Sequence, residues 1–178
     1  VALGQARHVS VRLPSGHIIH NVYIPAGGEI ADRSINEKFG QKLDFIEEMA
    51  AMFEKSKQKK TILVGDFNIA PREDDVWDHK RLLNVVSHTP IEIEYLARLK
   101  HSGDWVDIIR KDITAGQLYS WWSYRARNWE VSDKGRRLDH IWATSDIAEL
   151  AHSSKIVREA RGWEKPSDHA PVFVTFDL

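Results

Sequence analysis

The sequence has no cysteine, so it forms no disulfide and does no thiolate chemistry, a composition that suits a reducing compartment. It has no apolar run approaching the ~18 residues of a membrane-spanning helix, and its N-terminus shows no signal-peptide pattern. A cytoplasmic protein without a membrane partner is the expectation. An excess of one charge is also lacking: 25 Lys and Arg face 26 Asp and Glu, a formal net charge of −1. A polyanionic partner would therefore be held by local basic clusters and not by the field of the whole molecule. There is no His-Glu-x-x-His and no cysteine pair, so a zinc site has little support. Neither a Gly-x-Gly-x-x-Gly turn nor a Walker loop occurs, and no Gly-x-Ser-x-Gly elbow is present. Dinucleotide binding, P-loop chemistry and the commonest serine-hydrolase arrangement drop out with them. Methionine is scarce: Met49 and Met52 are internal and the chain opens with Val1, as a processed chain or part of a longer one would.

What is present is an ordinary globular composition, 42% apolar and 29% charged, over a length that suits one domain, residues 1–178. Residues 8–13 and 18–24 alternate around Pro14-Ser15-Gly16, which predicts a hairpin. Ser34-Ile35-Asn36-Glu37 reads as a capping box. Phe39, Leu43, Ile46, Ala50 and Phe53 follow it at helical spacing as far as Lys55, and the basic run 55–60 reads as the solvated end of that helix. A strand is predicted over 61–67, and a second helix over 90–101 is closed by Gly103. Short strands are predicted over 119–122, 138–143, 155–158 and 170–176. Strands and helices alternate without repeats, so the fold class is α/β, sheet packed against helices.

Polar residues interrupt three of these strands. Thr61-Ile62-Leu63-Val64 runs through Gly65 into Asp66 and Asn68; Asp139 and His140 stand within an apolar strand; Asp168-His169 opens the last one. Taken singly, each reads as a turn, a cap or a satisfied core hydrogen bond. Together they suggest convergence, because an ionised carboxylate is costly to bury without a partner. Carboxylates, an amide and an imidazole are also what a magnesium-dependent phosphate site needs.

These segments carry a resemblance. Asn21-Val22-Tyr23-Ile24-Pro25, Gly65-Asp66-Phe67-Asn68, Trp122-Ser123-Tyr124-Arg125, Gly135-Arg136-Arg137-Leu138-Asp139 and Ser167-Asp168-His169-Ala170-Pro171-Val172 occur in that order. The set resembles exodeoxyribonuclease III and the bacterial apurinic/apyrimidinic (AP) endonucleases of the endonuclease/exonuclease/phosphatase superfamily. The resemblance implies a DNase I-like fold, a β-sandwich of two mixed sheets flanked by helices. It also exposes a departure. The family's leading strands, one bearing an Asn and one the metal-binding Glu, have no counterpart, so the chain resembles the last two-thirds of the family domain. An open sheet edge and a tendency to self-associate are expected from that.

By resemblance, Asp66 orients or deprotonates the attacking water and Asn68 helps to hold Asp66 and the phosphate. His169 contacts the phosphate, Asp139 holds His169 in its tautomer, and the Tyr23 hydroxyl donates to the phosphate or leaving oxygen. Asp168 lies near Mg²⁺ (Mn²⁺ as a substitute), with Asp66 as a second ligand. In Ser120–Arg127 aromatic and basic residues interleave, which suits a loop that reaches DNA. Trp121, Arg125, Arg136 and Leu138 are the implied DNA contacts, with Trp121 and Leu138 lining a pocket for a baseless sugar and Trp122 facing the core. The function so implied is a Mg²⁺-dependent DNA-repair nuclease acting on double-stranded DNA at abasic sites and 3′ ends. Two other readings remain open: an impaired domain with residual DNA binding or self-association, and a superfamily phosphatase acting on a non-DNA phosphoester.

Overall fold

The computed structural model describes residues 4–178. Strands β1 (His8–Arg12) and β2 (Ile18–Tyr23) form the expected hairpin, and β3 (Thr61–Asp66) lies parallel to β2. Helix α1 (Glu37–Ser56) connects them; a crossover of this kind is what a parallel pair requires. Beyond β3 come α2 (His79–Leu82), α3 (Pro90–Ser102), β4 (Trp105–Asp107), α4 (Ile108–Asp112), β5 (Trp121–Trp122) and α5 (Trp129–Ser132). Strands β6 (Gly135–Arg136), β7 (Asp139–Thr144), β8 (Ala151–Ile156) and β9 (Val172–Phe176) complete the order. The main sheet is mixed, in the order β1-β2-β3-β7-β4, with β5–β6 and β8–β9 as two-stranded ribbons.

One face of the sheet is covered by α1 and α3. Val22, Leu63 and Trp142 point up from the strands into Phe45, Ile46, Met49, Phe53, Leu96 and Leu99, all buried. Each such side chain contributes about 1.5–3 kcal/mol through burial. The opposite face packs Ile62, Ala143 and Ile141 against Ile108, Ile147, Ala151, Val174 and Phe176, so that the β8–β9 ribbon supplies the second layer of the sandwich among the described residues. That layer is narrow. On the outer strand β1, Val9 and Val11 remain 64% and 53% exposed. No described helix is long and apolar enough to cross a membrane.

Several boundaries differ from the expected ones for local reasons. Helix α1 is capped by Asn36, whose side chain accepts from the Lys38 N–H at 3.1 Å, and not by Ser34. The Asp32 carboxylate takes both the N–H and the hydroxyl of Ser34, at 2.8 and 2.6 Å, which closes a turn before the helix begins. A capping box does open α3, where Thr89 pairs with Glu92 and Pro90 stands in the first turn. Strand β8 starts four residues earlier than expected. It carries a register irregularity between His152 and Lys155, where Ser153 has φ 55°, and this masks its alternation.

A buried charge network ties the loop after β3 to the sheet. Asp75 accepts from Arg137 Nε at 2.7 Å and Nη2 at 3.0 Å, and also pairs with Arg110; Arg137 Nη2 reaches Asp107 at 2.9 Å. Asp75 and Arg137 are fully buried. Removing one member leaves an uncompensated charge in the interior. Asp75→Ala is expected to destabilise the fold by about 3–5 kcal/mol in urea unfolding; a loss below about 1 kcal/mol would show that water reaches the network.

Candidate active site

The Gly65-Asp66 pair answers to a steric limit. Gly65 has φ 140°, and a Cβ there would stand 1.9 Å from the Val22 carbonyl oxygen, so only glycine lets β3 run this close to β2. The next residue is placed by register: Asp66 lies opposite Tyr23 on one side and opposite Asp139 on the other. Residues directly opposite share a face of the sheet. Three polar side chains therefore form a row across β2, β3 and β7 at one end of the sheet.

Past the strand the chain turns through Asn68 in the left-handed region, φ 53°. The turn is built around Asp66: Oδ1 accepts the Asn68 N–H and Oδ2 accepts its side-chain amide, both at 2.9 Å. The same amide also donates to the Ile24 carbonyl at 2.9 Å, which ties the turn to the loop after β2. The segment is thus a turn that also delivers its carboxylate.

Asp139 is steadied by buried Ser120, whose hydroxyl oxygen accepts the N–H groups of Leu138 and Asp139, both at 3.0 Å. His169 reaches the row from a segment stitched to β5, through the Trp122 N–H to the Asp168 carbonyl at 2.9 Å and the Ala170 N–H to the Ser120 carbonyl at 2.7 Å. Its Nδ1 lies 2.8 Å from Asp139 Oδ2, the expected pairing, and its Nε2 lies 3.9 Å from Asp66 Oδ2. Ionised Asp139 can only accept, so Nδ1 carries the proton. The three groups open into a groove of about 540 Å³ whose other walls include Ile141, Ser167 and Pro171.

This crowding moves the titrations. Burial, followed by the Asp139 charge, pushes Asp66 up to about 6 against the pull of His169 and Asn68. Burial lowers His169, but its hydrogen bond and charge interaction with Asp139 outweigh that and hold it above its ordinary value. His140, one residue from Asp139, is fully buried beside Arg137 and is lowered to about 4; it is a neutral core residue whose Nε2 bonds the Ile69 carbonyl at 2.8 Å.

The remaining candidates fall around this centre. Tyr23 is 49% exposed, with the Arg7 guanidinium over its ring at 4.7 Å. Asp168 stands outside the cluster, and its Oδ2 accepts from Trp121 Nε1 at 3.0 Å. Trp121 is half-buried against Ala70, Val76, Leu82 and Leu138. Leu138 itself is only 4% exposed, so it backs Trp121 from the core and does not face an open pocket. Arg136 lies over the Trp121 ring at 5.5 Å, but its Nη1 is committed to the Val86 carbonyl at 2.9 Å and the Ser87 hydroxyl at 2.6 Å. Arg125 is exposed, while Trp122 is buried with its Nε1 on Asp133. Ser120 is missed by motif reasoning; its only signal is a small polar residue leading an aromatic strand.

Asp66, Asp139 and His169 offer ligand atoms within 4.8 Å of one another. Two carboxylate oxygens fit a small hard cation, because Mg²⁺ commonly takes one or two carboxylates and fills its other positions with water and phosphate oxygens. An imidazole is a poorer partner for it, and here the ring is already bonded to Asp139.

Fold and site together define a class. A model of the endonuclease/exonuclease/phosphatase family matches residues 8–169, and the chain belongs to that family. Among curated proteins it is 31% identical over 164 residues to exodeoxyribonuclease III of Haemophilus influenzae, covering 88% of this chain and 60% of that protein. A Neisseria 3′ phosphatase solved with product DNA hairpin superposes with a TM-score of 0.89 at 28% identity, over 98% of this chain and 66% of that one. An AP endonuclease from Archaeoglobus fulgidus gives 0.88, also at 28% identity, over 97% and 65%. The chain thus spans about three-fifths of the length of the exodeoxyribonuclease it matches.

The Asp139 pairing makes a pH prediction. Because His169 is raised in the fold, its stabilising contribution is complete below the unfolded histidine value of about 6.5 and is lost as pH rises through the folded one. Proton NMR should find His169 titrating above about 6.5 and falling in Asp139→Asn, with His140 near 4 in both. A His169 that does not respond to Asp139→Asn would contradict the pairing.

Proposed function

We propose that this chain hydrolyses DNA phosphodiesters with a divalent cation, Mg²⁺ or Mn²⁺, at abasic sites and 3′ ends of double-stranded DNA. The observation that carries the reading is the convergence of two carboxylates and an imidazole on one groove, each fixed by its own hydrogen bond. A water between Asp66 and a bound phosphodiester gives its proton to Asp66 and its oxygen to phosphorus. The P–O bond on the far side breaks in line, and the departing oxygen takes a proton from solvent or from the Tyr23 hydroxyl. Asp66, pushed up to about 6 by burial and by Asp139 when no cation is bound, is ionised near pH 7 and so able to accept that proton. His169, held at Nδ1 by Asp139 and raised above its ordinary value by that contact, turns Nε2 toward the phosphate oxygens and in its protonated form offsets the charge that builds on them. Asp66 and Asp139, with Asp168 nearby, would hold the cation, which supplies Lewis-acid stabilisation to the phosphate.

The activities of the relatives, an exodeoxyribonuclease, a 3′ phosphatase and an AP endonuclease, support DNA as the substrate class. Half-buried Trp121 and exposed Arg125 in the segment after it suit a DNA backbone next to the groove. A second reading, a weak nuclease that associates with itself, is favoured by the narrow second layer and by the engagement of the Asp168 carboxylate with Trp121. Both readings meet the same assay. With Mg²⁺ and an abasic duplex, Asp66→Asn should cost about 10²–10⁴-fold in turnover while leaving DNA affinity unchanged. Turnover retained in Asp66→Asn would remove Asp66 from the chemistry and the reading with it.

A further inference from the structure

Lys42 of helix α1 has its side chain 0% exposed. Its ammonium carries three N–H groups, and three acceptors meet it: the Asn68 carbonyl at 2.9 Å, the Ala26 carbonyl at 3.4 Å and the Glu92 carboxylate of α3. Glu92 is itself fixed, accepting the Ser87 N–H at 2.9 Å, the Thr89 N–H at 3.1 Å and the Thr89 hydroxyl at 2.7 Å. The loop after β2 closes onto the lysine stem: Gly27 has φ 90°, and a Cβ there would lie 2.9 Å from Lys42 Cδ. Ala26 follows β2 and Asn68 follows β3, and these strands are parallel, so both loops leave the sheet at the end where Tyr23 and Asp66 stand. One cation thus joins both loops of that end to α3 from behind the groove.

A buried ion pair is often no more stabilising than apolar residues of the same volume, so stability alone gives weak grounds for one here. Its geometry gives better grounds. Asn68 holds both oxygens of Asp66 from a backbone conformation that a non-glycine residue seldom adopts, and Lys42 grips the carbonyl of that residue. We propose that Lys42 is a positioning residue for the reaction at Asp66: by clamping the Asn68 carbonyl to the Ala26 loop and to Glu92, it keeps the Asp66 carboxylate aimed into the groove. This role presupposes the phosphodiester-cleaving reading above. Lys42 touches neither DNA nor cation; it acts through Asn68.

The test removes both charges together, so that neither is left buried alone. In Lys42→Met/Glu92→Gln, kcat on the abasic duplex should fall about 10- to 100-fold, the scale of a misplaced catalytic group, with KM unchanged. Amide hydrogen exchange supplies a readout free of activity: in the double variant the Asn68 N–H should exchange faster while Leu63 and Trp142 in the sheet keep their protection. Unchanged kcat and unchanged Asn68 exchange would overturn the proposal. A rise in KM matching the loss in kcat, or exchange accelerated throughout the sheet, would overturn it too, since either marks a docking or a folding role. If the unaltered chain cleaves nothing, the phosphodiester reading fails by itself, and exchange at Asn68 still decides whether Lys42 holds the turn.

Discussion

Two carboxylates facing each other across a pair of strands set the terms for the rest of the site. The antiparallel register of β3 and β7 places Asp66 opposite Asp139, and like charges so placed repel. The surrounding structure meets that cost from both sides. Asn68 gives two hydrogen bonds to Asp66, and His169 gives one to Asp139. Burial, and after it the repulsion that remains from Asp139, pushes Asp66 up to about 6 in the absence of a cation.

Much of this is legible in the sequence where local chemistry decides the outcome. The apolar run into Asp66, the hairpin around Pro14-Ser15-Gly16 and the Pro90 helix ended by Gly103 all follow from period, turn residues and caps. The pairing of Asp139 with His169 is not, because thirty residues separate them and only the family resemblance brings them together. Long-range hydrogen bonds also override what single residues suggest. Arg136 turns inward to the Val86–Ser87 loop, and Asp168 accepts from Trp121. Leu138 is drawn into the core because the loop before β7 packs on Val76 and Leu82. Lys42 does leave a trace: it stands three residues after Phe39 and four before Ile46, on the apolar stripe of α1, where an unpaired cation would be out of place.

The architecture also bears on how much activity the chain supports. The row Val11, Ile19, Ile62, Ala143 runs across one face of the sheet, yet the β8–β9 ribbon covers its inner part and Val11 stays exposed. Exposed apolar surface beside an edge strand invites association. The groove stands at the other end of the same strands and its wall includes Val64 and Ile141 of that face, while its carboxylates are held by hydrogen bonds that do not involve the exposed row. The site and the exposed row therefore lie on one face of the sheet, four residues apart along β3 and β7.

The central claim, that Asp66 is a crowded, cation-accepting base within a formed site, can be measured directly by carboxyl ¹³C NMR of Asp66 across pH, with and without Mg²⁺. Without the cation Asp66 should titrate at about 6, and saturating Mg²⁺ should move the titration well below that by neutralising the repulsion from Asp139. An Asp66 that titrates in the ordinary range near 3.8 and ignores Mg²⁺ would contradict the account.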